Sequence, residues 1–205
     1  MKNFFSTHWP KILLGIYLLE FILLGINPSY RTVWMVENSI ALVTVVTLVT
    51  MYWHGIRFSN LAYTFVALLI YLHTVGGHYT FAEVPFGAIT EFFGFSRNNF
   101  DRVCHFLVGV FAFPALEFFE KRQLIRGRRL AIFLVVLGIF GWSAIFEIVE
   151  WLYAIIADSK AGTAFLGSQG DPWDAQKDML AAGIGSIFFA FIYVTMNRRK
   201  SQPES

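Results

Sequence analysis

Three pairs of ionisable residues sit at helical spacing inside hydrophobic stretches of this chain: Asp101 with His105, Glu147 with Glu150, and Asp174 with Asp178. Spacings of three and four put both members of a pair on one face of a helix. Facing pairs of carboxylate and imidazole groups are how helical bundles hold one or two metal ions in their interior. Mixed nitrogen and oxygen donors suit Zn, Mn or Fe better than Ca or Mg, which take oxygen alone. Two histidines ending an earlier stretch, His73 and His78, and Asp171, just ahead of Asp174, join the same ligand set. A divalent ion there would supply a water nucleophile, with a carboxylate such as Glu150 or Asp174 as general base. Arg102 or Lys177 would hold a phosphate or other anionic head group.

Plainer roles compete for some of these residues. Asn98 with Asp101 has the pattern of an N-cap and its third-position acid, and Asp171-Pro172 with Asp174 has the pattern of an N-cap, a first-turn proline and an acid. Capping does not account for His105 or Asp178, each a turn deeper, nor for Glu147 and Glu150, far from any helix start. Ion pairs with Arg102 or Lys177 are the main alternative for those carboxylates. His73 reads equally as a hydrogen-bonded core histidine, and His78 as an interfacial residue. Glu20 and Glu37 are expected to pair with Arg31 or Arg102. Cys104 adjoins His105, but neighbours in sequence do not face each other on a helix, which argues against a Cys–His nucleophile. A lone cysteine also excludes an intramolecular disulfide. The chain carries no phosphate loop, dinucleotide fingerprint or serine elbow.

The elements that must carry these residues are membrane helices. Of 205 residues, 56% are hydrophobic and 15% charged, against about 25% charged in a soluble domain. Twenty-three phenylalanines exceed what a single core of this size holds, so the surplus apolar surface needs lipid as its solvent. Hydrophobic stretches at 10–26, 32–53, 60–79, 99–119, 130–157 and 173–196 each approach the ~20 residues that cross ~30 Å of hydrocarbon. Asn27-Pro28-Ser29 separates the first two, and Gly76-Gly77 marks the end of the third. The first stretch contains Glu20 and has no small-residue cleavage site, which makes it an anchor rather than a signal peptide. Segment 81–95 is aromatic but too short to cross, and reads as interfacial or re-entrant. The chain is thus expected to be all-α: one six-helix transmembrane domain over 1–200 with a disordered tail at 201–205.

Orientation follows from the basic residues. Lys2, Lys11, Arg57, Lys121, Arg122, Arg126, Arg128, Arg129, Arg198, Arg199 and Lys200 fall on one side, leaving only Arg31, Arg97, Arg102, Lys160 and Lys177 on the other. The positive-inside rule puts both termini in the cytoplasm. Eleven of the fourteen acidic residues, all but Glu117, Glu120 and Glu204, then lie toward the outside, with three of the five histidines. Ionisable residues at one depth of a bilayer are costly enough to mark a functional site. The net charge of +2 gives no argument for nucleic acid.

These motifs carry a resemblance. Pro28, Trp34 and Glu37-Asn38, then His73-x4-His78, Asn98-Asn99-x-Asp101-Arg102-x2-His105-Phe106, Glu147-x2-Glu150-Trp151 and Gly170-Asp171-x-Trp173-Asp174-x2-Lys177-Asp178 resemble the YjdF-type bacterial inner-membrane proteins over nearly the whole chain. The resemblance implies a small multi-pass protein of the bacterial inner membrane and carries no reaction with it. The second half is also similar, more distantly, to VanZ-like membrane proteins, whose pattern Asp101, His105, Phe106, Glu147, Asp174, Gly183 and Gly185 match. Glu150 and Asp178 stand where that group has Gln and Asn, and the added negative charge favours a cation site. That group's link to glycopeptide tolerance implies work at the cell envelope.

Three functions are compatible with these residues. The first is a metal-dependent, hydrolase-like enzyme acting on an envelope lipid or lipid-linked substrate at the outer leaflet, its polar site facing the periplasm. The second is a small-solute or ion transporter, though the ionisable band does not continue through the membrane. The third is a non-catalytic membrane partner, for which so many carboxylates are excessive when polar contacts between membrane helices average under ~1 kcal/mol.

Overall fold

The computed structural model describes residues 2–157 and 159–198. Among the described residues nine α-helices follow one another: α1 Lys2–Leu24, α2 Arg31–Trp53, α3 Asn60–Tyr79, α4 Gly87–Phe92, α5 Phe100–Val108, α6 Ala112–Arg122, α7 Arg128–Ile156, α8 Ser159–Leu166 and α9 Asp174–Arg198. Short 3-10 turns cover Phe81–Glu83 and Gly109–Phe111. No strand occurs among the described residues. Six helical stretches among the described residues are long and apolar enough to cross a membrane: Ser6–Leu24, Arg31–Trp53, Asn60–Tyr79, Phe100–Arg122, Arg128–Ile156 and Asp174–Asn197. The expected six-helix, all-α architecture is therefore the observed one. The expected tail at 201–205 lies outside the described residues.

Differences from the expected spans have local causes. The first helix continues on the N-terminal side of Pro10, so this proline sits inside the helix rather than near its start. The fourth span is not one regular helix, because α5 and α6 are joined through the tighter turn at Gly109–Phe111. Between the fifth and sixth spans the chain forms a further short helix, α8. Its Ala161 and Phe165 are buried with Val33 of α2, and the Phe165 ring lies 4.4 Å from that of Tyr153. Within the 81–95 segment, Phe92, Phe93 and Phe95 stay exposed, as an interfacial piece requires.

The core runs along α3, α5, α6 and α9, with Val66, Ile70, Val110, Phe113, Leu116, Phe189 and Tyr193 at its centre and Val135 and Ile139 of α7 against it. The outward faces of α1 and α7 are strings of exposed apolar residues, Ile16, Leu19, Ile22 and Leu23 on one and Phe133, Leu137, Ile145, Ile148 and Ile155 on the other. In a bilayer such faces meet acyl chains, which solvate them as well as a protein interior does. At one end Ser59 caps α3 by accepting from the Ala62 amide, while Glu117 accepts from the Ser59 amide at 2.9 Å and from Lys121 at 2.6 Å.

The tightest junction joins α5 to α9. A Cβ on Gly185 would stand 1.9 Å from the Phe106 carbonyl oxygen, and one on Gly109 would stand 2.1 Å from the Gly185 carbonyl carbon. Only hydrogen fits at both positions, so the two backbones touch directly, as small residues allow in membrane helices. Gly185→Ala is expected to destabilise the fold by more than ~2 kcal/mol, since neither obstacle is a movable side chain. Gly138→Ala, where nothing lies within 4 Å of the added carbon, should stay within about 0.5 kcal/mol. Thermal unfolding of the purified variants in a mild detergent measures both, and equal midpoints would contradict the close contact.

Candidate functional site

The α5–α9 contact brings the two i,i+4 pairs face to face. Asp101 and His105 project from the first two turns of α5, and Asp178 from the second turn of α9, all at least nine-tenths buried. One ligand atom from each of the three lies within 4.8 Å of the others. From α7, Glu147 reaches His105: its Oε1 is 3.6 Å from Nε2, and Asp101 Oδ1 is 3.6 Å from that same nitrogen. Glu150, buried one turn along α7, lines a cavity of about 80 Å³ together with Asp101, His105 and His73. Trp142, Phe146 and Phe111 supply apolar wall to the same cavity.

Several polar atoms here are buried without a hydrogen-bond partner among the described residues: His105 Nδ1, Glu147 Oε1, Asp178 Oδ1 and Arg102 Nε. A buried polar atom left unpaired costs about 1–3 kcal/mol, more when charged. Four carboxylates around one imidazole also repel one another strongly in a low-dielectric surrounding. A bound cation, or protonation of some of the carboxylates, would relieve this surplus of negative charge. Two metal–ligand bonds of ~2.1 Å span about 4 Å, so small side-chain adjustments would gather Asp101, His105 and Asp178 around one ion.

Above this cluster lies a set of ion pairs. Arg102 donates to Asp171 at 2.7 Å and to Asp174 at 2.9 Å, and its Nε is 3.6 Å from Asp178. Lys177 donates to Asp171 at 2.6 Å. Arg97 donates to Asp174 and to the Ser168 carbonyl. Asn98 and Gln169 bond reciprocally, the Asn98 amide donating to Gln169 Oε1 and Gln169 Nε2 donating to the Asn98 carbonyl, so loops 97–99 and 167–173 are fastened together. Nothing in the spacing of Arg97 or Gln169 marked them in advance, because they meet their partners about seventy residues away.

The expected ligands thus divide. Asp101, His105 and Asp178 come together, with Glu147 and Glu150 beside them. Asp171 and Asp174 spend their oxygens on Arg97, Arg102 and Lys177 at the rim. Asp171 also accepts from the Trp173 amide, an Asx turn ahead of α9, while Asn98 accepts from the Phe100 amide ahead of α5. Neither residue is the N-cap that the sequence pattern suggests, because α5 begins after Asn99, which makes no side-chain cap bond, and α9 begins at Asp174. Asn98 and Asp171 close turns one and two residues ahead of the N-cap positions. His73 stands at the edge of the cavity, its Nε2 3.1 Å from the Glu37 carbonyl and 3.4 Å from the Glu37 carboxylate. His78 faces elsewhere, its Nδ1 2.7 Å from the Leu24 carbonyl at the α1–α2 turn. The expected pairing of Glu20 and Glu37 with Arg31 or Arg102 does not occur. Arg31 instead donates to the Gly25 carbonyl and lies over the Trp34 ring, and Glu20 Oε2 has no partner among the described residues.

Hydrogen bonds from Lys177 and then Arg102 hold the Asp171 carboxyl far below the usual carboxylate range. A carboxylate depressed in the folded state stabilises the fold above its unfolded pKa of ~4, and that contribution is lost as pH falls toward the folded value. Asp171→Asn should therefore unfold at a lower temperature than the native chain at pH 6. The gap should shrink as pH drops below about 4. Thermal midpoints of both proteins at pH 6, 5, 4 and 3 check this; a gap constant with pH would remove Asp171 from the rim network.

Comparison with known proteins agrees with the membrane-helix fold. Residues 9–199 match the family described as "Predicted membrane protein (DUF2238)". The chain is 35% identical over 187 residues to the inner membrane protein YjdF of Escherichia coli (strain K12), covering 88% of each protein. No solved structure matches the chain. With six spanning helices and a match along almost its whole length, the chain is a multi-pass inner-membrane protein and belongs to the DUF2238 family.

Proposed function

We propose that this protein is a metal-dependent enzyme acting on an envelope lipid or lipid-linked substrate at the periplasmic leaflet. The observation that carries the reading is the buried group Asp101, His105 and Asp178, within 4.8 Å of one another, with unpaired atoms on His105 and Asp178. Asp101, His105 and Asp178 would hold the ion, and Glu147 would add a fourth ligand, its third oxygen, from α7. A divalent ion of the Zn, Mn or Fe class polarises a carbonyl or phosphoryl oxygen and lowers the pKa of water. Glu150 lines the cavity without a basic partner among the described residues and would take a proton from that water. Its neighbours exclude bulk solvent, which strengthens every charge interaction inside.

The rim supplies recognition. Lys177 is half exposed and Arg102 a quarter exposed, and both hold Asp171, a carboxylate at the mouth. An anionic head group replaces that carboxylate on the same two cations, as bidentate arginine sites do for phosphate. Asp174 keeps Arg97 and Arg102 oriented rather than acting as base. The periplasmic orientation rests on the distribution of basic residues, most of which lie on loops and termini at the opposite end of the bundle.

Transport is the weaker reading. A path across the bilayer would have to continue from the cavity through the apolar core of Val110, Phe113, Leu116, Val135 and Phe189, where proton or ion binding groups are needed.

The test is elemental analysis of protein purified without chelator, comparing the native chain with His105→Gln and Asp178→Asn. About one Zn, Mn or Fe per native chain is expected, falling at least tenfold in each variant, as losses of single ligands do. A native chain free of all three metals would remove the metal site. With metal present, phosphate or head-group release from lipid vesicles distinguishes hydrolysis from solute flux.

A further inference from the structure

At the end of the bundle opposite the carboxylate cluster, α1 and α2 part company. They touch near their connecting turn, where the Phe21 and Trp34 rings lie 5.1 Å apart, and both pack on α3. Toward the other end a cleft of about 170 Å³ opens between them, floored by α3. Leu13, Leu14, Val45, Leu48, Val66 and Ala67 make its walls apolar. Water does not fill an apolar cleft within the hydrocarbon region, and a polar peptide segment there would have unsatisfied backbone groups. An acyl chain satisfies both conditions.

The rim adds charge. Lys11, exposed on α1, lines the mouth of the cleft, and so do Tyr52 and Trp53 at the end of α2. Arg57 lies with its guanidinium 4.4 Å from the centre of the Tyr52 ring, which places a second cation on the same rim. Trp53 is 81% exposed at the helix end, where aromatic side chains sit among lipid head groups. Two cations and two interfacial aromatics above an apolar slot match a glycerophospholipid with a negatively charged phosphate.

We propose that the cleft between α1 and α2 is a binding site for an anionic glycerophospholipid of the basic, cytoplasmic-side leaflet, one acyl chain lying on α3 and the phosphate held by Lys11 and Arg57. This site is separate from the carboxylate cluster and does not depend on the enzymatic reading. It fastens an annular lipid where α1 and α2 diverge from their contact at Phe21 and Trp34, so the lipid acts as a packing element between them.

Native mass spectrometry of the full chain, released from mild detergent with dioleoyl-phosphatidylglycerol or dioleoyl-phosphatidylcholine added, tests the site. The native chain should retain phosphatidylglycerol at least about fivefold better than phosphatidylcholine, given about a kcal/mol per basic residue near anionic lipid. The double variant Lys11→Gln, Arg57→Gln should lose that preference while binding phosphatidylcholine unchanged. Ala67→Phe, which fills the slot, should lower retention of both lipids. Equal retention of the two lipids by the native chain overturns the proposal. So does a preference that survives the double variant, whose exposed substitutions leave the fold intact even if Ala67→Phe does not. Metal content should be the same in the double variant and the native chain, so loss of lipid and loss of the metal site are read separately.

Discussion

The backbone contact between α5 and α9 is the constraint from which the rest of the polar site follows. Phe106 and Gly185 approach so closely that no side chain fits between them, and this fixes both the depth and the rotation of the two helices. Asp101 lies five residues and His105 one residue before Phe106 on α5, and Asp178 lies seven residues before Gly185 on α9. With the two helices seated this way, one ligand atom from each of the three comes within 4.8 Å of the others. A larger residue at either glycine would push the pairs apart and dissolve the cluster before touching any of its members. The 3-10 turn at Gly109–Phe111 belongs to the same junction, since Gly109 sits directly on the Gly185 and Ser186 backbone.

Charge is then arranged in two tiers. The rim is nearly balanced: Arg97, Arg102 and Lys177 against Asp171 and Asp174, with hydrogen bonds to most of the participating oxygens. Below it the buried tier is unbalanced, with Asp101, Glu147, Glu150 and Asp178 around His105. Arg102 connects the two, because its NH2 is engaged at the rim while its Nε faces Asp178 at 3.6 Å. The rim is satisfied by protein alone, whereas the buried tier has more carboxylates than basic partners among the described residues. That difference separates ion-paired acids from candidate ligands, and it is a difference of surroundings rather than of residue type.

The opposite end of the bundle holds a second, smaller polar network. Glu117 joins the start of α3 to α6 through Ser59 and Lys121, and Glu120 accepts from the Tyr193 hydroxyl at 2.5 Å. Between the two ends the apolar core of α3, α6 and α9 is continuous. The outward faces of α1 and α7 leave lipid to complete the packing, and the slot between α1 and α2 carries that dependence to its limit.

The sequence by itself determined the solvent, the number of spans and the polar end. Hydrophobic stretches of about twenty residues can satisfy their backbone in a bilayer only as helices, and i,i+4 spacing commits Asp101 with His105, and Asp174 with Asp178, to shared faces. The chemical part of the cluster was legible for the same reason: Glu147 and Glu150 lie too far from any helix start to be caps. The partition among these residues was not. Asp174 and Asp178 share a face and a helix, yet Asp174 is bound by Arg97 and Arg102 while Asp178 turns to His105 and Asp101. The choice depends on Arg97, Asn98 and Gln169, whose loops are joined about seventy residues apart in sequence. Nor did spacing separate His73, set at the cavity beside Glu37, from His78, turned to the α1–α2 loop. Periodicity fixes which way a side chain leaves its own helix; which charge it meets is decided by how helices from distant parts of the chain are seated against one another.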